Sequence, residues 1–178
     1  SRAESPGSIQ SGKFILTIKV IYCIMNFTFS DIGDKMKTHV YLNFDGSTEK
    51  AFNYYKSVFG GEFTQVMRYQ EMPGDIKLSA NDGNKILHIG LPLSEHSELH
   101  GSDVVDGLSP EPLRTGNNVA IMLSPDSRAE ADRLFAKLST GGKVAMPMSD
   151  EFWGDYFGAF TDQFGVEWMI NYVQSTQP

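Results

Sequence analysis

From Thr38 the chain alternates. Val40, Leu42 and Phe44 take one parity, and His39, Tyr41 and Asn43 take the other. A period of two predicts a half-buried strand. Asp45-Gly46-Ser47 reads as a turn, and Ser47 or Thr48 can cap a helix after it. Ala51, Phe52, Tyr55, Val58 and Phe59 then recur at helical spacing, and Gly60-Gly61 ends that helix. Strands are expected over residues 63–69, 86–93 and 98–102. Residues 72–84 are polar, carry Pro73, Gly74 and Gly83, and read as a loop. Residues 104–116, with Gly, Ser and two prolines, read as a linker.

The order then repeats. Residues 118–123 alternate, with Val119, Ile121 and Leu123 toward the core. Ser124-Pro125-Asp126 opens a second helix, and Ala129, Ala131, Leu134, Phe135 and Leu138 form its apolar stripe. Gly141-Gly142 stops it, and strands are expected over 144–148, 156–161 and 167–172. Strand, helix, Gly-Gly, three strands, twice over, is an internal duplication. Two ferredoxin-like halves would give a related pattern. The expected organisation is one domain over 36–173: module one about 36–106, a linker about 104–116, module two about 117–173, and a tail at 174–178. Residues 1–35 are expected to lie outside it, as a poorly ordered leader or appended extension, or as a strand pairing at a sheet edge or across a dimer. Their apolar run over 14–29 is broken by Lys19 and is too short and polar to span a bilayer.

Composition narrows the partners. The chain has 178 residues, 40% of them apolar, which suits one domain with an ordinary core. With a net charge of −7 it repels nucleic acid and anionic membranes, so neither is an expected partner. Cys23 is the sole cysteine, so there is neither an internal disulfide nor a CxxC zinc pattern. A reducing compartment, the cytoplasm, is the simplest setting.

Three stretches resemble a known family. They are Tyr41-Leu-Asn-Phe-Asp-Gly-Ser-Thr-Glu-Lys-Ala-Phe-Asn-Tyr-Tyr-Lys-Ser-Val-Phe-Gly-Gly, Gly116-Asn-Asn-Val, and Phe152-Trp-Gly-Asp-Tyr-Phe-Gly-Ala-Phe-Thr-Asp-Gln-Phe-Gly-Val-Glu-Trp-Met-Ile-Asn. Together they resemble the PhnB-like branch of the glyoxalase/bleomycin-resistance (vicinal oxygen chelate) superfamily. The resemblance implies an α+β fold of two tandem βαβββ modules, a curved mixed sheet around an open cleft, and commonly a homodimer. The superfamily holds metal-dependent isomerases and dioxygenases, thiol transferases and metal-free drug-sequestering proteins, so the fold leaves the activity open. Proteins like this one are sometimes labelled ubiquinone-type methyltransferases, but no GxGxxG cofactor turn is present here.

The superfamily's metal enzymes take one ligand from the first and last strand of each module. Those four points match His39, His100, Asn118 and Met169, with Glu167 and Asn171 on the same face as Met169. Asn is a weak ligand and Met a soft one, so the full constellation is missing. His39, His100 and a displaced Glu167 remain as candidate ligands for a divalent Zn, Ni, Mn or Fe ion. Otherwise the histidines are pocket walls, and no cofactor is required. The candidate cleft for a small-molecule ligand comprises Tyr41, Asn43, His88, Asn118, Trp153 and Met169. Phe152, Trp153 and Tyr156 either pack beneath the sheet or wall the cleft. Trp168, Tyr54 and Tyr55 read as structural, and Glu95, Glu98 and Asp103 as a solvated acidic hairpin. No catalytic residue is assigned. The expected function is binding of a small organic molecule without a complete metal site; the alternative is a metal-dependent lyase, isomerase or dioxygenase.

Overall fold

The computed structural model describes residues 38–74, 77–109 and 111–174. Everything expected of residues 1–35 lies outside them. The described residues from Thr38 onward form one compact unit. Module one contains β1 (Val40–Phe44), α1 (Thr48–Phe59), β2 (Gln65–Arg68), a 3-10 turn (Tyr69–Glu71), α2 (Ala80–Asn84), β3 (Ile86–Ser94) and β4 (Ser97–Asp103). Module two contains β5 (Ile121–Leu123), α3 (Arg128–Leu138), β6 (Lys143–Asp150), β7 (Tyr156–Thr161) and β8 (Glu167–Tyr172). The sheets have matching orders, β1-β4-β3-β2 and β5-β8-β7-β6. In each the first strand runs parallel to the last and the other pairs are antiparallel. This is the duplicated βαβββ plan.

The stripe that forms α1 is the stripe that buries it. Thr48, Ala51, Phe52, Tyr55 and Val58 are the buried positions, and Gly60 closes the helix at φ 80. Capping is not where the sequence suggests. The Ser47 side chain makes no cap bond. Instead Asp103, at the end of β4, accepts from the Thr48 backbone N–H at 3.0 Å and the Thr48 hydroxyl at 2.6 Å. Its other oxygen accepts from the Ile86 N–H at 2.8 Å. Asp103 is only 3% exposed, so it is no part of a solvated acidic face; of the three expected there, Glu95 alone is exposed.

Other boundaries shift for local reasons. The loop over 72–84 contains α2, whose Ser79 hydroxyl caps the Asp82 N–H. α3 starts at Arg128 rather than beside Pro125, because Ser127 caps it by accepting from the Glu130 N–H. That start leaves Ala129 exposed. β5 is shorter than the alternation implies, and Val119 stands outside it, 70% exposed.

One core joins the halves. Phe52, Tyr55, Ile89, Leu99, Leu134, Phe160, Trp168 and Ile170 belong to a single buried cluster. α1 presses on its own sheet where Gly101 leaves room: a Cβ there would sit 2.5 Å from the Phe52 ring. Across the modules, Tyr55 meets Trp168 edge-to-face with centroids 5.6 Å apart. Its hydroxyl donates to Asp162 at 2.6 Å, and the Trp168 indole N–H donates to the same carboxylate oxygen at 2.9 Å. Burial, then the Asp162 charge, drives the Tyr55 phenol far above its ordinary pKa.

The helix-covered face of each sheet is therefore the buried one. The opposite faces stay open: Tyr41 is 48%, Met122 57% and Met169 36% exposed.

Candidate functional site

Alternation along β1 and β4 sorts side chains between the two faces. Val40, Leu42 and Phe44 turn toward the helix, as do Leu99, Gly101 and Asp103. Tyr41, Asn43, Glu98, His100 and Ser102 take the open face. Pairing then sets them in rows. Tyr41 pairs with His100, His100 with Gly90, and Gly90 with Gln65. His100 stands at the centre of this face.

Aromatic rings surround it. His39, just before β1, meets His100 edge-to-face at 5.0 Å between centroids. His88 stacks on it at 5.2 Å, and Tyr41 lies nearly parallel at 6.2 Å. The Tyr41 hydroxyl is 3.2 Å from His88 Nδ1. Burial lowers the His88 pKa, and the adjacent His100 lowers it further against the opposing pull of Glu98. His88 therefore tends to the neutral form, able to accept from Tyr41.

Glu98 supplies the carboxylate. Its Oε2 is 3.6 Å from His100 Nε2, and its Oε1 accepts a short hydrogen bond from the Thr64 hydroxyl. The carboxylate fits there because position 90 has no side chain: a Cβ on Gly90 would sit 2.4 Å from Thr64 Oγ1 and 2.6 Å from Glu98 Oε1. His39, Glu98 and His100 each offer a donor atom within 4.8 Å of the others. His100 Nδ1 is buried without a hydrogen-bond partner, a costly state for a polar atom.

The second sheet offers different chemistry. Met122, Met169, Ala159 and Met146 form one row across β5, β8, β7 and β6. Trp153 joins this open face through edge-to-face contacts with Phe152 at 4.9 Å and Phe157 at 5.8 Å. Trp153 is 47% and Phe152 96% exposed, so neither packs beneath the sheet; Tyr156 is buried. Glu167 accepts from the Thr161 hydroxyl at 2.8 Å and lies outside the His39–Glu98–His100 group. Aligning β1 and β5 on their last residues, Phe44 and Leu123, pairs Phe44 with Asp103 and Leu123 with Ile170. The same offset puts Glu167 where module one has His100. Sequence reasoning puts Met169 there, two residues on, because strand parity alone leaves pairing register free.

The expected cleft residues thus fall in two places. Tyr41, Asn43 and Asn118 line one cleft of about 300 Å³ together with Glu167, between β1 and the β5–β8 edge. His88 joins it through Tyr41. Trp153 and Met169 belong to the open face of the second sheet instead. Glu98 is the residue that sequence reasoning turned toward the cleft beside His100 but left out of the ligand set, as part of a solvated acidic hairpin. Its position two residues before His100 puts both side chains on the same face, but strand parity does not tell a ligand from a solvated carboxylate.

A profile described as "Glyoxalase/Bleomycin resistance protein/Dioxygenase superfamily" matches residues 38–170. The chain belongs to that superfamily. Protein YjdN of Escherichia coli K12 is 30% identical over 137 residues, covering 75% of this chain and 93% of its own length. The crystal structure of protein PA1353 from Pseudomonas aeruginosa superimposes with a TM-score of 0.69 at 35% identity, over 79% of this chain and 100% of that one. A PhnB protein from Bacillus cereus, described as a candidate 3-demethylubiquinone-9 3-methyltransferase, gives a TM-score of 0.60 at 24% identity, over 78% and 100% of the two chains. That likeness carries the fold alone. The superfamily's paired-module plan is the one built here, and superfamily membership sets no single activity. No helix among the described residues is long and apolar enough to cross a membrane.

Proposed function

We propose that this superfamily member binds a small organic molecule in the cleft between β1 and the β5–β8 edge, with the imidazole face as its polar wall. The carrying observation is the double engagement of Tyr41. It lines the 300 Å³ cleft and bonds His88 at 3.2 Å on the histidine face. Apolar walls with a few convergent polar groups suit such ligands. A thermal-shift screen of aromatic and aliphatic compounds tests the reading. Ligands should raise the melting temperature, and Tyr41→Ala should remove that rise. A library that stabilises nothing sinks it.

A homodimer belongs to the same reading. The Met122–Met169–Ala159–Met146 row, with the exposed Trp153 and Phe152, puts apolar side chains next to one another on an open sheet face, as interaction surfaces do. A second copy is the occupant we propose, because each chain pairs an open apolar sheet face with an open polar one. Monomeric mass by light scattering at micromolar concentration would contradict it. We also place the protein in the cytoplasm, where the lone Cys23 needs no partner. Its recovery from an extracytoplasmic fraction would overturn that.

A divalent metal is the second reading, favoured by the convergence of His39, Glu98 and His100. Two imidazoles and a carboxylate suit Zn, Ni, Fe or Mn, and Thr64 would orient the carboxylate. Gly90 makes room for the Glu98 carboxylate beside the imidazoles, and His100 Nδ1 is left without a hydrogen-bond partner. A bound ion would act as a Lewis acid toward ligand oxygens. Elemental analysis after supplementation decides: about one equivalent should bind, falling on His39→Ala, His100→Ala or Glu98→Gln. Stoichiometry unchanged in all three variants would remove this reading.

A further inference from the structure

The histidine face continues past Asn43 into a second cavity. It measures about 530 Å³ and lies between the end of the first sheet and the segment that leads out of module one. Met72, Leu87, Leu108 and Leu113 give it apolar walls. Asn43, Leu113 and Arg114 line both this cavity and the 300 Å³ cleft, so they stand where the two meet.

Two of those three are donors. The Asn43 carbonyl oxygen accepts from the Ser102 hydroxyl at 3.2 Å, which leaves the amide hydrogens to donate elsewhere. Among the described residues, Arg114 is the sole cationic side chain lining either cavity. Its ion-pair partner is Glu111 at 3.1 Å, with the two side chains 80% and 70% exposed. Water screens such a pair, so an incoming anion loses little by replacing Glu111. Asp103, the other acid at this cavity, is already engaged by Thr48 and Ile86. On a chain of net charge −7, an anion gains only where a cation is held locally.

We propose that this double cavity selects small monocarboxylates with an apolar body, the carboxylate lying on Arg114 and Asn43 and the body against Met72, Leu87, Leu108 and Leu113. A planar carboxylate matches the guanidinium fork, and it would take the place of Glu111 on Arg114, at the end of the cleft away from Glu167. The inference rests on the cleft reading above and adds the ligand class.

The test is a matched pair on the full chain: phenylpropionate and its neutral amide, followed by backbone-amide NMR. Both should shift the amide resonances of residues 104–109, 113 and 114, with the acid about tenfold tighter at low salt. Arg114→Gln should erase the difference between acid and amide. Arg114→Lys should restore part of it, and Glu111→Gln should strengthen acid binding by freeing the guanidinium. Equal affinities in the unaltered protein, an acid preference that survives Arg114→Gln, or no shifts at millimolar ligand would each overturn the proposal. A neutral amide that binds as well as the acid while shifting the Tyr41, His88 and His100 backbone amides overturns the anion preference and leaves the cleft reading standing. Acid binding lost on Arg114→Gln but indifferent to Tyr41→Ala supports the anion site and counts against the cleft reading instead.

Discussion

At the scale of single residues, two glycines show how surroundings decide the effect of one methyl group. A Cβ on Gly90 meets Thr64 Oγ1 and Glu98 Oε1, the ends of side chains that can swing aside. A Cβ on Gly142 would lie 2.1 Å from the Thr161 carbonyl oxygen, which is backbone. Gly90→Ala should therefore cost about 1 kcal/mol or less in denaturant unfolding but displace Glu98, lowering ligand or metal uptake. Gly142→Ala should cost about 3 kcal/mol or more, because the β6–β7 ladder itself must move. Comparable costs for both would show that the Thr64–Glu98 contact is rigid. The sequence made the facing of His39, Tyr41 and His100 legible, since side-chain alternation is fixed by strand geometry. It hid the role of Glu98, which depends on the room left one strand away at Gly90. Asp103 was hidden for a like reason: its burial comes from what α1 and β3 present to it.

At the scale of elements, the strand–helix–Gly-Gly pattern made both modules readable, because the periods of two and 3.6 separate cleanly. Element starts were less readable. α1 begins where a distant carboxylate accepts its first N–H, which local sequence cannot announce, whereas α3 begins at an ordinary serine cap. The two should respond differently to loss of their caps. Ser127→Ala should cost about 1 kcal/mol. Asp103→Ala strips partners from the Thr48 N–H, the Thr48 hydroxyl and the Ile86 N–H together, and should cost about 3 kcal/mol. Urea unfolding of both variants checks this, and an Asp103→Ala cost no larger than that of Ser127→Ala would contradict it.

At the scale of the whole molecule, the duplication predicted two like halves but not how they meet. The junction is built on Tyr55, Trp168 and Asp162. Because the folded Tyr55 phenol holds its proton far above its ordinary value, the unfolded chain loses that proton first as pH rises. The stability this group contributes is thus full below about pH 10 and declines above it, by roughly 1.4 kcal/mol per pH unit. Tyr55→Phe should be less stable at neutral pH but show a shallower alkaline decline. Parallel declines in the two proteins would place the alkaline sensitivity elsewhere.

The row of Met122, Met169 and Met146 gives the molecule a chemical clock. Peroxide turns thioethers into sulfoxides, which are polar and bulkier. Left bare, these three sulfurs should oxidise quickly and together; pressed against a second copy, they should react more slowly as protein concentration rises. Once oxidised, the same surface would resist pairing, so oxidant stress would be recorded as a change in assembly.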